Sequence, residues 1–121
     1  MKTEKQNLGD EGEMMASEFY QSHAYLIRDK NWRFGHLEID IIAENQEALV
    51  FCEVKTRSSN YMGQPEEFVT KQKQKNVIRA ANFYMNKFAI QKEVRFDVVS
   101  ILKTKDKTEL THIPNAFLPS W

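Results

Sequence analysis

The residues from Asp40 to Lys55 constrain the fold most. They read Asp-Ile-Ile-Ala-Glu-Asn-Gln-Glu-Ala-Leu-Val-Phe-Cys-Glu-Val-Lys. Two apolar runs, Leu37 to Ala43 and Ala48 to Val54, flank a polar break at Glu44 to Glu47. Each run is rich in Ile, Val, Leu or Phe and short enough to be a strand. Asn45 tolerates a left-handed turn conformation, so the break is expected to close a hairpin. A hairpin centred on Gln46 and Glu47 sets Asp40 opposite Glu53. Strand side chains alternate between faces, so Glu53 and Lys55 point the same way. Two carboxylates and one ammonium are then expected on one patch of one sheet.

Charged residues are rarely buried unless paired, and these interrupt apolar strands. One account is a cross-strand ion cluster in which Lys55 neutralises Asp40 and Glu53. The other is a site for a hard cation, which relieves the repulsion between two close carboxylates. Magnesium takes oxygen ligands and is typically held by one or two carboxylates together with substrate phosphate. A lysine beside it could act on a water or on charge developing at phosphate. Asp, then Glu-x-Lys, does not by itself choose between the two.

The 121 residues suit one domain with a core of its own. Hydrophobic residues make up 41% and charged residues 28%, and the formal net charge is zero. That balance argues against a protein that coats nucleic acid generally and leaves room for a local basic patch. The single cysteine, Cys52, cannot form an internal disulfide; it is expected in the core on the face opposite Glu53. His23, His36 and His112 are scattered without zinc-ligand spacing. The polar residues Met1 to Asp10 lack a signal-peptide core, and no run is long enough to span a membrane, so a cytoplasmic location is expected.

In chain order, residues 1 to 8 look like a loose tail. Asp10 is a candidate N-cap with Glu13 three residues on, and a helix is expected over Glu11 to Ser22. Met15, Ala16, Phe19 and Tyr20 form its apolar stripe. Glu13 lies at the stripe's edge, on the side of Ala16 and Tyr20; on spacing alone it serves the helix dipole. Ala24 to Arg33 is strand-like, with Trp32 assigned to the core, and Phe34, Gly35 and His36 turn into the central hairpin. Thr56 to Pro65 is expected as a polar loop beside the site, followed by a long helix from Glu66 to Phe88. Its stripe is Val69, Val77, Ala80, Ala81, Tyr84, Met85 and Phe88, and Lys71, Lys73, Lys75 and Arg79 cluster in its first half. Such a cluster is usually a solvated face, but near carboxylates it can hold phosphates. Val94 to Leu102 is the next strand, in which Asp97 is expected to have a structural partner such as Arg95 or a backbone donor. Thr108 to Ile113 adds an edge strand, and Pro114 to Trp121 packs back or frays. The order predicts an α/β sandwich with a mixed central sheet and an αβββαβ core.

These pieces resemble the bacterial YraN family. The matching residues are Leu8-Gly9-Asp10-Glu11-Gly12-Glu13 with Ala16, Asn31-Trp32-Arg33, and Glu38-Ile39-Asp40-Ile41-Ile42-Ala43. Further along they are Phe51-Cys52-Glu53-Val54-Lys55-Thr56-Arg57, Gly63, Lys73-Gln74 and Arg95-Phe96-Asp97-Val98-Val99. Leu37 stands where many members have glycine, and Cys52 where valine is common. The family is similar to the restriction-endonuclease-like superfamily, with its PD-(D/E)xK motif, and to archaeal Holliday-junction resolvases.

The resemblance implies a restriction-endonuclease-like sandwich and a metal-dependent endonuclease acting on DNA. It implies Asp40 and Glu53 as ligands of Mg2+ or Mn2+, with the Val54 carbonyl completing the shell. It implies Lys55 acting on the attacking water and Glu13 joining from the first helix. Lys73 and Gln74 match a helix position near the site, and Arg57, Lys71, Lys73, Gln74 and Lys75 are the candidate nucleic-acid contacts. The expected products carry a 5′-phosphate and a 3′-hydroxyl. A nucleic-acid-binding module without turnover is the rival reading, and a structural domain with an ion-pair cluster is a third. The preferred DNA structure, RNA as an alternative substrate, and dimerisation of the kind resolvases use are all left open by the sequence.

Overall fold

A computed structural model describes residues 1–58 and 69–119. Helix α1 (Glu4–Ser22) leads into strands β1 (Leu26–Phe34), β2 (Leu37–Glu44) and β3 (Ala48–Ser58). Helix α2 (Lys71–Phe88) then carries the chain to β4 (Glu93–Lys103) and β5 (Thr108–Phe117). The five strands form one sheet in the order β1-β2-β3-β4-β5. Only β3 and β4 are parallel; the other neighbours are antiparallel. The parallel pair requires a crossover, which α2 supplies. The expected α/β sandwich with a mixed sheet is what the chain forms, with a fifth strand on the edge.

Each helix covers one face of the sheet. Ala16 and Tyr20 of α1 pack with Ile41, Val50, Cys52, Val99 and Ile101. Val77, Ala81 and Tyr84 of α2 pack with Ile42, Leu49, Phe51, Phe96 and Val98. The central strand β3 is therefore buried on both sides, and every residue from Ala48 to Glu53 is inaccessible or nearly so. That is why its sequence is a continuous apolar run rather than an alternation.

The turn between β2 and β3 is made by a side chain. Asn45 Oδ1 accepts hydrogen bonds from the backbone N–H of Glu47 and Ala48 at 2.9 and 2.8 Å. Its backbone is not left-handed, unlike Ala24, Asn31, Gly35, Ala89 and Asn115. The expected hairpin is present, and Asn45 makes it as an Asx-turn.

Several boundaries differ from the sequence reading. Residues 1 to 8 are not all a loose tail, because α1 begins at Glu4. Thr3, not Asp10, is the N-cap, in a capping box with Gln6. Thr56 to Ser58 belong to β3 rather than to a loop, since they pair with Ile101 to Lys103. Helix α2 begins at Lys71, not Glu66: Thr70 is extended and its Oγ1 accepts from Lys73 N at 3.1 Å. Gly63, Pro65 and Glu66 lie outside the described residues, as does Trp121. Strand β5 continues through Pro114 to Phe117, on an edge where proline's missing donor is tolerated.

Two contacts fix α1 against the sheet. Gly12 lies so close to β3 that a Cβ there would sit 2.0 Å from Thr56 Oγ1. Near the other end, Tyr20 donates a hydrogen bond to Asp97 Oδ2 at 2.7 Å. Asp97 is fully buried and also receives Arg95 through two nitrogens at 2.9 Å, His112 Nε2 at 2.8 Å and the Asn115 backbone N–H at 3.2 Å. Both partners expected for it, Arg95 and a backbone donor, are there. Burial pushes the Asp97 carboxyl up, but the bonds from His112, Arg95 and Tyr20 outweigh it and hold it below the usual range.

Asp97→Ala is expected to cost about 3–5 kcal/mol in denaturant unfolding, the range for breaking a buried pair from one side. Gly12→Ala should destabilise the fold despite alanine's higher helix propensity, by about 1–3 kcal/mol for overpacking. Thr56→Ala in the same chain should recover part of that loss. A neutral Gly12→Ala would show that the helix can move off β3 freely.

Candidate acidic site between two strands

The ladder between β2 and β3 runs from Glu44↔Leu49 to Ile41↔Cys52 and stops there. Asp40 and Glu53 are the next residues along, so the register expected from the hairpin holds. The side chains show the same break. Ile39 and Ile42 pack on the α2 side, whereas Ile41 and Ala43 pack on the α1 side. The two-residue period thus slips between Ile39 and Ile41. Where the ladder ends, Asp40 Oδ2 accepts the Val54 backbone N–H at 2.8 Å. A carboxylate takes over a backbone donor as the strands part.

Glu53 is 1% exposed. Lys73 Nζ, from the first turn of α2, lies 3.5 Å from its Oε2. Its Oε1 is buried with no hydrogen-bond partner among the described residues. An unsatisfied buried carboxylate oxygen is costly and calls for a physical explanation. Burial first and then the neighbouring Asp40 push the Glu53 carboxyl up, Lys73 and Lys55 pull the other way, and the net result is about 8. Burial raises the Asp40 carboxyl as well, against the Val54 N–H, Lys73 and Lys55.

Glu13 approaches from α1. Its carboxyl is half-buried and raised by that burial; a hydrogen bond from the Asn31 side chain opposes the rise, and Asp40, Glu38 and Asp10 add to it. Its position at the edge of the apolar stripe therefore faces it to the sheet. Helix α1 and helix α2 each contribute one charged side chain to the cleft, Glu13 and Lys73, on top of the pair from the strands.

The structure brings together Glu13, Asp40, Glu53, Val54 and Lys55, with Lys73. It does not bring the other candidate contacts to the carboxylates. Gln74 donates to the Val69 carbonyl at 3.1 Å and closes the start of α2. Lys71 and Lys75 are exposed. Residues two apart on a helix lie about 200° apart, so Lys73 cannot share their face. Arg57 donates to the Thr56 carbonyl at 3.3 Å and borders a cavity of about 620 Å3 with Glu4, Glu11, Ser58 and Lys103. That cavity lies at the far end of β3, under the first turns of α1, and does not include Asp40 or Glu53.

Asn31 is the site residue that sequence reasoning passed over. It falls between Lys30↔Ile41 and Trp32↔Ile39 in the register, across from Asp40, and is left-handed at φ 51°. Asparagine tolerates that conformation better than other side-chain residues. The signal was its place in Asn31-Trp32-Arg33, a stretch that carries the family resemblance but was given no role in the site. Trp32 is half-buried on the α2-side core, edge-on to Tyr84 at 5.1 Å, which agrees with its assignment to the core. Cys52 is fully buried beside Tyr20, and burial pushes its thiol up, as suits a core residue.

For a hard cation the fit is partial and specific. Asp40, the unpartnered Glu53 oxygen and a backbone carbonyl are oxygen donors of the right kind. Among the described residues, no three His, Cys, Asp or Glu side chains group as metal ligands.

Fold and site together define an α/β sandwich with a carboxylate pair, Glu53 buried and Asp40 partly so, opened between two strands and flanked by lysines. The model of uncharacterised protein family UPF0102 matches residues 12–101, and the chain belongs to that family. A UPF0102 protein of Bacteroides thetaiotaomicron is 44% identical over 116 residues, covering 96% of each chain. One from Chlorobium phaeobacteroides is 40% identical over 124 residues, covering 97% of this chain and 98% of its own. The family resemblance read from the sequence is borne out. No helix among the described residues is long and apolar enough to cross a membrane.

The raised Glu53 carboxyl sets a sign for pH dependence. The group binds its proton more tightly folded, at about 8, than at its ordinary 4.5. Its contribution to stability is therefore complete below the ordinary value and is lost as pH rises through about 8. In chelator-treated protein, the melting temperature of wild type relative to Glu53→Gln should fall between pH 5 and pH 9. A difference that stays flat across that window would mean that Glu53 is ionised throughout.

Proposed function

We propose that this protein is a metal-dependent phosphodiesterase acting on DNA, in a fold of the restriction-endonuclease-like kind. The observation that carries this reading is the buried Glu53 carboxylate beside Asp40, with one oxygen lacking a partner among the described residues. A buried acid kept beside a second, partly buried one in that state is explained by a cation that completes the pair. Magnesium or manganese would be held by Asp40, Glu53 and the Val54 carbonyl, and would neutralise charge on the phosphate.

The protein's own groups then have distinct tasks. Asp40 is oriented by the Val54 N–H and so is fixed before any ligand arrives. Lys55 lies near enough to both carboxyls to pull their proton affinity down. It is the ammonium available to hold and act on the attacking water. Glu13, with a raised carboxyl, takes or relays a proton from the α1 side. Exposed Lys71 and Lys75 supply phosphate contacts away from the reacting bond.

One observation favours the rival, a nucleic-acid-binding module without turnover. The described residues hold no group of three metal-ligating side chains, and Lys73 already neutralises part of Glu53. The two readings separate in one assay. Purified, nuclease-free protein is incubated with duplex, flap and four-way-junction DNA in Mn2+ or Mg2+ and, separately, in EDTA. Cleavage leaving 5′-phosphate and 3′-hydroxyl ends is expected in metal only. Asp40→Ala and Lys55→Ala should each reduce it at least about a hundredfold, the lower range for losing a positioned catalytic group. Variants that cut as well as wild type would sink the enzyme reading. Binding in EDTA without cleavage in either metal would establish the module.

A further inference from the structure

The two oxygens of Glu53 have different surroundings. Oε2 faces Lys73 Nζ at 3.5 Å, and Oε1 is buried without a partner among the described residues. The two members of the pair also differ in their access to water: the side chain of Glu53 is 2% exposed and that of Lys73 is 35% exposed. A buried acid is thus held by a cation that solvent can reach.

Lys73 is placed there by construction. Thr70 caps α2 through the Lys73 backbone N–H, which fixes the first turn and the direction of the lysine side chain. The same helix end adds partial positive charge near the carboxylates. Within the cleft, Glu13, Asp40 and Glu53 oppose Lys55 and Lys73. With all five ionised the cluster carries one net negative charge, and without Lys73 it would carry two.

We infer that Lys73 is a resident competitor for a divalent cation at this site. It faces Glu53 through Oε2, leaves Oε1 as the Glu53 oxygen left for the ion, and holds the affinity for that ion down. This rests on reading Asp40 and Glu53 as a cation site. It also gives Lys73 a task different from the exposed Lys71 and Lys75. Its ammonium serves a carboxylate of the protein, whereas theirs are free to meet phosphate.

The test is a titration of chelator-treated protein with Mn2+, followed by the loss of the free-ion electron paramagnetic resonance signal. Wild type, Lys73→Met and Lys73→Gln are compared. Arg79→Met serves as a control that removes one exposed charge from the same helix. Both Lys73 variants should bind Mn2+ at least about tenfold more tightly than wild type, a modest share of the Coulomb interaction at this distance. Arg79→Met should stay within about twofold, because an exposed charge is screened. In EDTA the Lys73→Met protein should melt below wild type, and Mn2+ should raise its melting temperature more. Should Lys73→Met not fold, Lys73→Gln keeps a hydrogen-bond donor for Oε2 while removing the charge. Binding that is unchanged or weaker in the Lys73 variants overturns the inference while leaving the cation site standing. Equal tightening in Arg79→Met overturns it too, since net charge alone would then account for the effect. No Mn2+ binding by any variant overturns the cation site itself. Binding by the Lys73 variants but not by wild type upholds both.

Discussion

A carboxylate sealed inside a sheet has to be satisfied completely, and Asp97 is satisfied by three different elements. Tyr20 reaches it from α1, Arg95 from its own strand, and His112 and the Asn115 backbone from β5. Leaving any of these donors out would strand a buried charge, so the helix and the edge strand are held in one relation to β4. The left-handed Asn115 and the register shift between Phe96 and Val98 follow from it, because the strand bends to bring a backbone N–H to the carboxylate. Helix α1 inherits a fixed position at Tyr20. Eight residues earlier, about two turns up the helix, the close approach of Gly12 to Thr56 fixes it again. Glu13 follows Gly12 directly, so its location relative to Asp40 is set by packing and does not depend on a ligand.

The second acidic cluster is treated in the opposite way. Asp97 has every oxygen occupied, and its carboxyl is held low. Glu53 has one oxygen facing a partly exposed lysine and one without a partner among the described residues, and its carboxyl is pushed high. Both residues lie in the same sheet and both are buried. The difference is in the donors that the surrounding fold supplies. A protein that satisfies one buried acid five times over and leaves another short has tolerated instability at the second place. Such local violations are where function is expected in an otherwise consistent fold. The parting of β2 and β3 at this point belongs to the same arrangement. Continued pairing would have spent the Val54 N–H on a strand carbonyl, whereas here it orients the Asp40 carboxylate.

Much of this was legible in the sequence because it rests on short-range rules. The apolar runs around Glu44 to Glu47 define a hairpin, and a hairpin of that length fixes the register that sets Asp40 beside Glu53. The long apolar stripe from Val77 to Phe88 defines α2, and a helix between two strands implies a crossover. What escaped was set by tertiary contact. The first turn of α1 has few apolar residues and looked like a tail, yet a capping box at Thr3 and Gln6 starts the helix there. Pro114 suggested the end of β5, but an edge strand has no need of that donor. Asn31 carried no periodic signal at all; its role comes from a left-handed backbone across from Asp40. The family resemblance named the residues of the site, and the structure adds which of them are buried, which are paired, and which face elsewhere.

The basic cluster at the start of α2 shows how far spacing alone can mislead. Lys71, Lys73 and Lys75 look like one patch when written in a line. On a helix the middle one turns inward while its neighbours face water, and Gln74 turns back to close the helix end on Val69. One lysine therefore belongs to the electrostatics of the buried acids and two to the outer surface. The inward one has the stronger coupling, because it faces Glu53 where water is scarce and the attraction is less screened. Lys55 and Lys73 thus offset much of the negative charge that Glu13, Asp40 and Glu53 gather in the cleft. Lys73 thereby offsets part of the repulsion between the two acids.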